Sequence, residues 1–104
     1  MDKLFIKERI RYYRLQSNKS ARNLSLELGM SSEYINQIET GRLTPSLDFL
    51  LIFCEYLNIS LSEFFNEEFK YPIEFKNIIT KLNMLSKDNI ELISKLIDTL
   101  SEKK

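Results

Sequence analysis

Around residue 35 the chain mixes polar side chains able to recognise a ligand with apolar ones able to fix their direction. Ser32, Glu33, Asn36 and Gln37 alternate with Tyr34, Ile35 and Ile38. In a helix over residues 32–39 the four polar side chains project away from the Ile35/Ile38 face. Amides and hydroxyls so presented can hydrogen-bond to base edges, and Asn or Gln can pair bidentately with adenine. Glu33 is the exception in this set: phosphates repel a carboxylate, although it can accept from a cytosine amino group. The plainer alternative is a helix with a solvated polar face. Phosphate contacts would come from backbone N–H groups and from short polar or basic side chains on the flanks. Asn18, Lys19, Arg22, Arg42 and Thr44 have the types and positions for that work.

Other chemistries find little material. The 104 residues include no histidine, the commonest general base and metal ligand. Glu67 and Glu68 resemble neither a metal site nor a catalytic dyad, and there is no Gly-rich phosphate loop. Neither enzymatic activity nor a metal, cofactor or small-molecule ligand is expected. The single cysteine, Cys54, excludes an internal disulfide and fits a reducing cytoplasm. On an apolar helical stripe it reads as inert core rather than as a redox switch. No run approaches the roughly 18 apolar residues of a membrane span, and charges interrupt the N-terminal apolar residues where a secretory signal would need a continuous stretch.

Formal net charge is zero, but the charge is unevenly spread. Residues 1–22 carry seven basic side chains against two acidic ones; residues 23–65 carry Arg42 against six acids. The positive end therefore adjoins the candidate reading segment, and its plainer explanation is a first helix with a solvated charged face.

Several helices must position these residues. Ile6, Ile10 and Tyr13 predict a first helix over residues 4–15, with Lys7, Arg9, Arg11 and Arg14 standing off the core stripe and Asn18 as a left-handed stop. Ser20 caps a helix over 21–28 in which Leu24 and Leu28 share a face, and Gly29 ends it. A small residue at Ser25 lets another helix cross closely. Ser31 or Ser32 is the expected cap of the next helix, and Thr40-Gly41 its stop. Two short helices around a tight turn form a helix-turn-helix. Ser46 or Thr44 opens a fourth helix over 46–57, ended by Asn58. Ser60 and Glu63 then have capping-box spacing for a short fifth helix ending at Phe65.

The motifs R-I-R-x-x-R at 9–14, L-S-x-E-L-G-M-S at 24–31, Y-I-N-Q-I-E-T-G at 34–41, T-P-S-L at 44–47 and L-N-I-S-L-S-E-F-F at 57–65 resemble the phage-repressor and Cro type of helix-turn-helix domain, the XRE family. The resemblance covers about 60% of the chain and implies an all-α fold, with a five-helix repressor-like domain over residues 1–66 whose third helix enters the major groove of double-stranded DNA. It implies base-reading positions at Ser32, Glu33 and Gln37, with Asn36 nearby, and an ion pair between Arg14 and Glu39 joining the first helix to the third. Ala21 departs from the family, where similar domains carry Gln, and a DNA contact is lost with it.

The fourth helix has two apolar stripes, Leu47, Leu50, Cys54 and Leu57 for the core and Phe49, Ile52, Phe53 and Tyr56 on another face. A helix apolar on two faces must be covered on two sides. Residues 67–104 offer the cover: a linker to Pro72, then Phe75, Ile78, Ile79, Leu82 and Leu85, then Ser86 and a helix carrying Ile90, Ile93, Leu96, Ile97 and Leu100, with residues 101–104 frayed. This C-terminal two-helix hairpin is too small to stand alone and is expected to fold back or to pair chains. The expectation is a transcriptional repressor, a homodimer on a palindromic operator. The competing reading is an antagonist that heterodimerises with a related repressor, favoured by the zero net charge, Glu33 and Ala21.

Overall fold

Serines open most of the helices. In the computed structural model, which describes residues 3–102, the elements are α1 (Lys3–Gln16), α2 (Ala21–Glu27), α3 (Tyr34–Glu39), α4 (Leu47–Tyr56), α5 (Leu61–Phe64), α6 (Pro72–Leu82) and α7 (Lys87–Ser101). Ser20, Ser46, Ser60 and Ser86 sit just before α2, α4, α5 and α7 with extended backbones. Each hydroxyl accepts from the backbone N–H three residues on, at 3.0, 3.1, 3.1 and 3.2 Å respectively, satisfying a donor that the first helical turn leaves open. Asn18 and Asn58, both at φ 58°, supply left-handed stops. Gly29 stands at φ 78°, and behind it the Met30 N–H donates to the Ser25 carbonyl at 2.9 Å, closing α2 in a Schellman motif. Among the described residues there is no strand, and the fold is all-α.

The third helix is shorter than its sequence pattern predicts. It starts at Tyr34, after a turn at residues 32–33, and neither Ser31 nor Ser32 caps it. Glu33 occupies the cap position without a side-chain hydrogen bond. The missing acceptor comes from the neighbouring helix: the fully buried Ser25 hydroxyl accepts from Ile35 N–H at 3.0 Å and donates to the Ala21 carbonyl at 2.7 Å. Ser25 is thus small enough to allow the crossing and polar enough to complete the helix that crosses it.

Ile10, Leu24, Ile35, Ile38, Phe49, Phe53 and Phe64 form the core of the first five helices. A relay of rings ties them together, Tyr34 to Phe49 at 4.7 Å, Phe49 to Phe53 at 5.9 Å, Phe53 to Phe64 at 6.1 Å and Phe64 to Tyr13 at 6.0 Å between centroids. The α4 stripes are therefore assigned differently from the sequence expectation. Phe49 and Phe53 pack inside this domain with Leu50 and Cys54, not on an outer dimer or hairpin surface, because Tyr34 and Phe64 reach α4 on that arc. Leu47, expected in the core, is exposed; so are Ile52 and Tyr56.

Arg9 also departs from expectation. It does not stand off the core: its side chain is buried, its Nε donates to the Phe64 carbonyl at 2.9 Å and its Nη2 donates to the Asn66 carbonyl. The guanidinium lies 4.6 Å from the centre of the Phe5 ring, a cation–π contact. Burial pulls its pKa down, yet an arginine stays charged at any ordinary pH. Arg9 fastens the end of α5 to α1.

One compact unit ends at Glu68 and a second begins at Phe69. In the second, Phe75 meets Phe69 and Tyr71 at 5.5 and 6.4 Å between ring centroids, and Pro72 takes the first position of α6, where its missing N–H matters least. No residue of α7 is buried. Ser101, expected to fray, is the last residue of α7; Lys103 and Lys104 lie outside the described residues.

Candidate nucleic-acid interface

The direction of the α3 polar side chains follows from what holds its other face. Ile35 and Ile38 are buried and Tyr34 stacks toward α4, so Asn36 and Glu33 emerge into solvent with Ser32 and Gln37 half-exposed beside them. None of the four side chains is tied up in a hydrogen bond or ion pair among the described residues. Glu33, Asn36 and Gln37 stand at i, i+3, i+4, spacing that groups side chains on one helical surface.

Backbone bonds fix the loop that follows. The Gln37 carbonyl accepts from Arg42 N–H at 2.9 Å and Leu43 N–H at 3.0 Å, and the Thr40 hydroxyl donates to the Asn36 carbonyl at 2.9 Å. Arg42 and Thr44 are exposed in the segment this clasp starts, and their side chains make no hydrogen bond or ion pair among the described residues.

On the other flank Arg14 serves two elements at once. Its Nε and Nη2 bind the two carboxylate oxygens of Glu39 at 2.6 and 2.9 Å, and its Nη1 donates to the Lys19 carbonyl at 2.9 Å. This bidentate pair raises the Arg14 pKa, the Glu39 hydrogen bond being the largest cause. Arg14 thereby holds the end of α3 and the loop before α2 to α1. Asn18 in that loop and Arg22 in the first turn of α2 are exposed.

Lys19 is differently placed from the other flanking residues. Its Nζ pairs with Glu27 at 3.1 Å, and the Tyr56 hydroxyl donates to the same carboxylate. Those two partners, Tyr56 first, hold the Glu27 carboxyl below its ordinary range. An acid therefore already faces Lys19 where a phosphate contact is expected of it.

Two contributors to this geometry, Arg9 and the Ser25 hydroxyl, go beyond what the sequence pattern predicts. Phe5, four residues before Arg9, is the sequence signal that this arginine lies on a packed face. The sequence marks Ser25 for its size alone, and nothing local marks its hydroxyl as the cap of a helix ten residues away. Among the described residues no His/Cys/Asp/Glu cluster could hold a metal ion, and no helix is long and apolar enough to cross a membrane.

Two short helices locked around a left-handed Gly29, with an outward polar face on the second and a clasped loop behind it, define a helix-turn-helix DNA-binding protein. A protein-family model described as helix-turn-helix matches residues 10–64. The chain belongs to that family, the XRE type to which phage repressors and Cro belong, and is a DNA-binding transcriptional regulator. Neither the curated proteins nor the solved structures include a match to the chain.

Proposed function

We propose that this regulator is a repressor that binds a palindromic operator as a homodimer, reading bases with Gln37, Ser32, Glu33 and Asn36. The observation carrying this reading is the set of outward side chains on α3, free of internal partners while the opposite face is buried. One such helix covers only a few base pairs, so useful specificity needs two half-sites and two chains. Asn18, Arg22, Arg42 and Thr44 set the register on the phosphates. The hairpin of α6 and α7, with Ile78, Leu82, Ile90, Ile93, Leu96, Ile97 and Leu100, pairs the two chains.

The decisive experiment is selection of bound sequences from random duplexes, followed by anisotropy titration of the winner against a scrambled duplex. Gln37→Ala is expected to lose about 1–3 kcal/mol on the selected site and to relax the preference at one position of each half-site. A selection that returns no symmetric consensus sinks the operator proposal.

One observation favours a second reading, an antagonist that heterodimerises with a related repressor. The Glu27 carboxylate occupies Lys19, which weakens the basic flank on which phosphate affinity depends. Absence of any DNA binding at about 50 mM salt would decide for the antagonist.

A further inference from the structure

Three of the seven basic residues crowded into the first 22 positions are committed elsewhere. Arg9 is buried on the Phe64 and Asn66 carbonyls, Arg14 is paired with Glu39 and Lys19 with Glu27. Lys7 is not committed: among the described residues it has no hydrogen bond or ion pair. Its Nζ lies 3.9 Å from where a Cβ on Gly41 would stand, so α1 lays an ammonium against the turn that closes α3. Lys7 and Thr44 line one groove of about 170 Å³, whose apolar wall includes Ile38 and Leu43. A lysine stem along apolar surface leaves its charged head in water. Lys7, with Lys3 on the same groove, is thus a cation without a partner among the described residues that the fold carries from a separate helix to the loop holding Arg42 and Thr44.

We infer that Lys7 is a further DNA-backbone contact, meeting a phosphate beside the C-terminal end of α3. The inference rests on the DNA-binding reading above and adds α1 to the surface that touches the duplex. Each phosphate neutralised by a lysine releases condensed counterions, so each contact adds to the salt dependence of binding. A lysine that merely favours the carbonyl end of α3 would act on stability instead. The two roles therefore separate in measurement.

The test uses the full chain and a fluorescent mixed-sequence duplex, titrated by anisotropy from about 50 to 200 mM salt. Lys7→Gln should flatten the plot of log K against log salt by about 0.9 and weaken binding several-fold at the lowest salt. Lys7→Arg should keep the slope, as should Lys95→Gln on α7, and the thermal melts of all three should match the wild type. A Lys7→Gln slope equal to wild type overturns the contact while leaving DNA binding intact. A melt lowered with no change in slope assigns Lys7 to α3 stability and also overturns it. Failure of the wild-type chain to bind the duplex removes the DNA-binding reading and this contact together.

Discussion

At the scale of single residues, the most consequential atom in the motif is the Ser25 hydroxyl. It is fully buried, and it joins α2 to the first turn of α3 by accepting from Ile35 N–H at 3.0 Å. Because Glu33 makes no capping bond, the Ser25 hydroxyl is the side-chain hydrogen-bond acceptor that supports that end of the helix among the described residues. Ser25→Ala keeps the space needed for the helix crossing and removes only the acceptor, leaving a buried N–H unpaired. The expected loss is about 1–3 kcal/mol of unfolding free energy, a fall in Tm of about 4–8 °C for each kcal/mol in a domain of this size. Thermal and urea melts followed by circular dichroism would measure it; an unshifted midpoint would show that solvent or a shifted turn satisfies Ile35. Two other buried polar groups, Cys54 and Tyr13, are kept uncharged. Burial pushes the Cys54 thiol up to about 11 and the Tyr13 hydroxyl, which has no hydrogen-bond partner among the described residues, up to about 12. A thiol that stays protonated is a poor nucleophile, which suits a packing role for Cys54.

Between elements, the exposed group of Lys19, Glu27 and Tyr56 links the loop before α2, the end of α2 and the end of α4. Tyr56 and then Lys19 depress the Glu27 pKa, and the same hydrogen bond raises that of Tyr56. A carboxylate with a depressed native pKa contributes stability above the ordinary carboxylate value of about 4.3, and that contribution disappears as pH falls through the lower native value. Tyr56→Phe should move the Glu27 titration midpoint upward in a carboxyl NMR titration. An unmoved Glu27 midpoint would show that Lys19 alone sets it.

How far the elements were legible follows from how local their causes are. The caps at Ser20, Ser46, Ser60 and Ser86 and the stop at Gly29 are decided within a few residues, and the chain spells them out. The outward direction of Asn36 and Gln37 follows likewise from Ile35 and Ile38 beside them. The buried arc of α4 is decided by Tyr34 and Phe64, fifteen or fewer residues away in sequence but on other helices, so a helix with hardly a polar face could not declare it. The start of α3 differs from the sequence expectation for the same reason, since its acceptor belongs to α2. The loan of Lys19 to Glu27 depends on how the loop before α2 folds back, and no spacing rule encodes it.

For the whole molecule, the question is what covers α7. Ile90, Ile93, Ile97 and Leu100 recur at the 3-4-3 spacing of a coiled-coil seam. Leu96, Ile97 and Leu100 are 56%, 56% and 60% exposed. An isolated chain rarely leaves so much contiguous apolar surface in water, and a second unit beginning only at Phe69 is small for an independent core. In the homodimer proposed above, pairing with the same seam of a second copy would answer both difficulties and supply the second reading helix that a palindrome needs. Replacing Ile93 and Ile97 together with Asp puts charges into the seam without touching α3. Light scattering should then fall from a dimer of 12.4 kDa chains to a monomer. Binding to the selected palindrome should weaken sharply, while the salt-dependent binding of a mixed-sequence duplex persists, because each chain retains its own phosphate contacts. Circular dichroism guards against simple unfolding, since the helices of the first unit should keep their melt. An unchanged mass in the double variant would remove α7 from the interface and return Ile52 and Tyr56 on α4 as the surface to test.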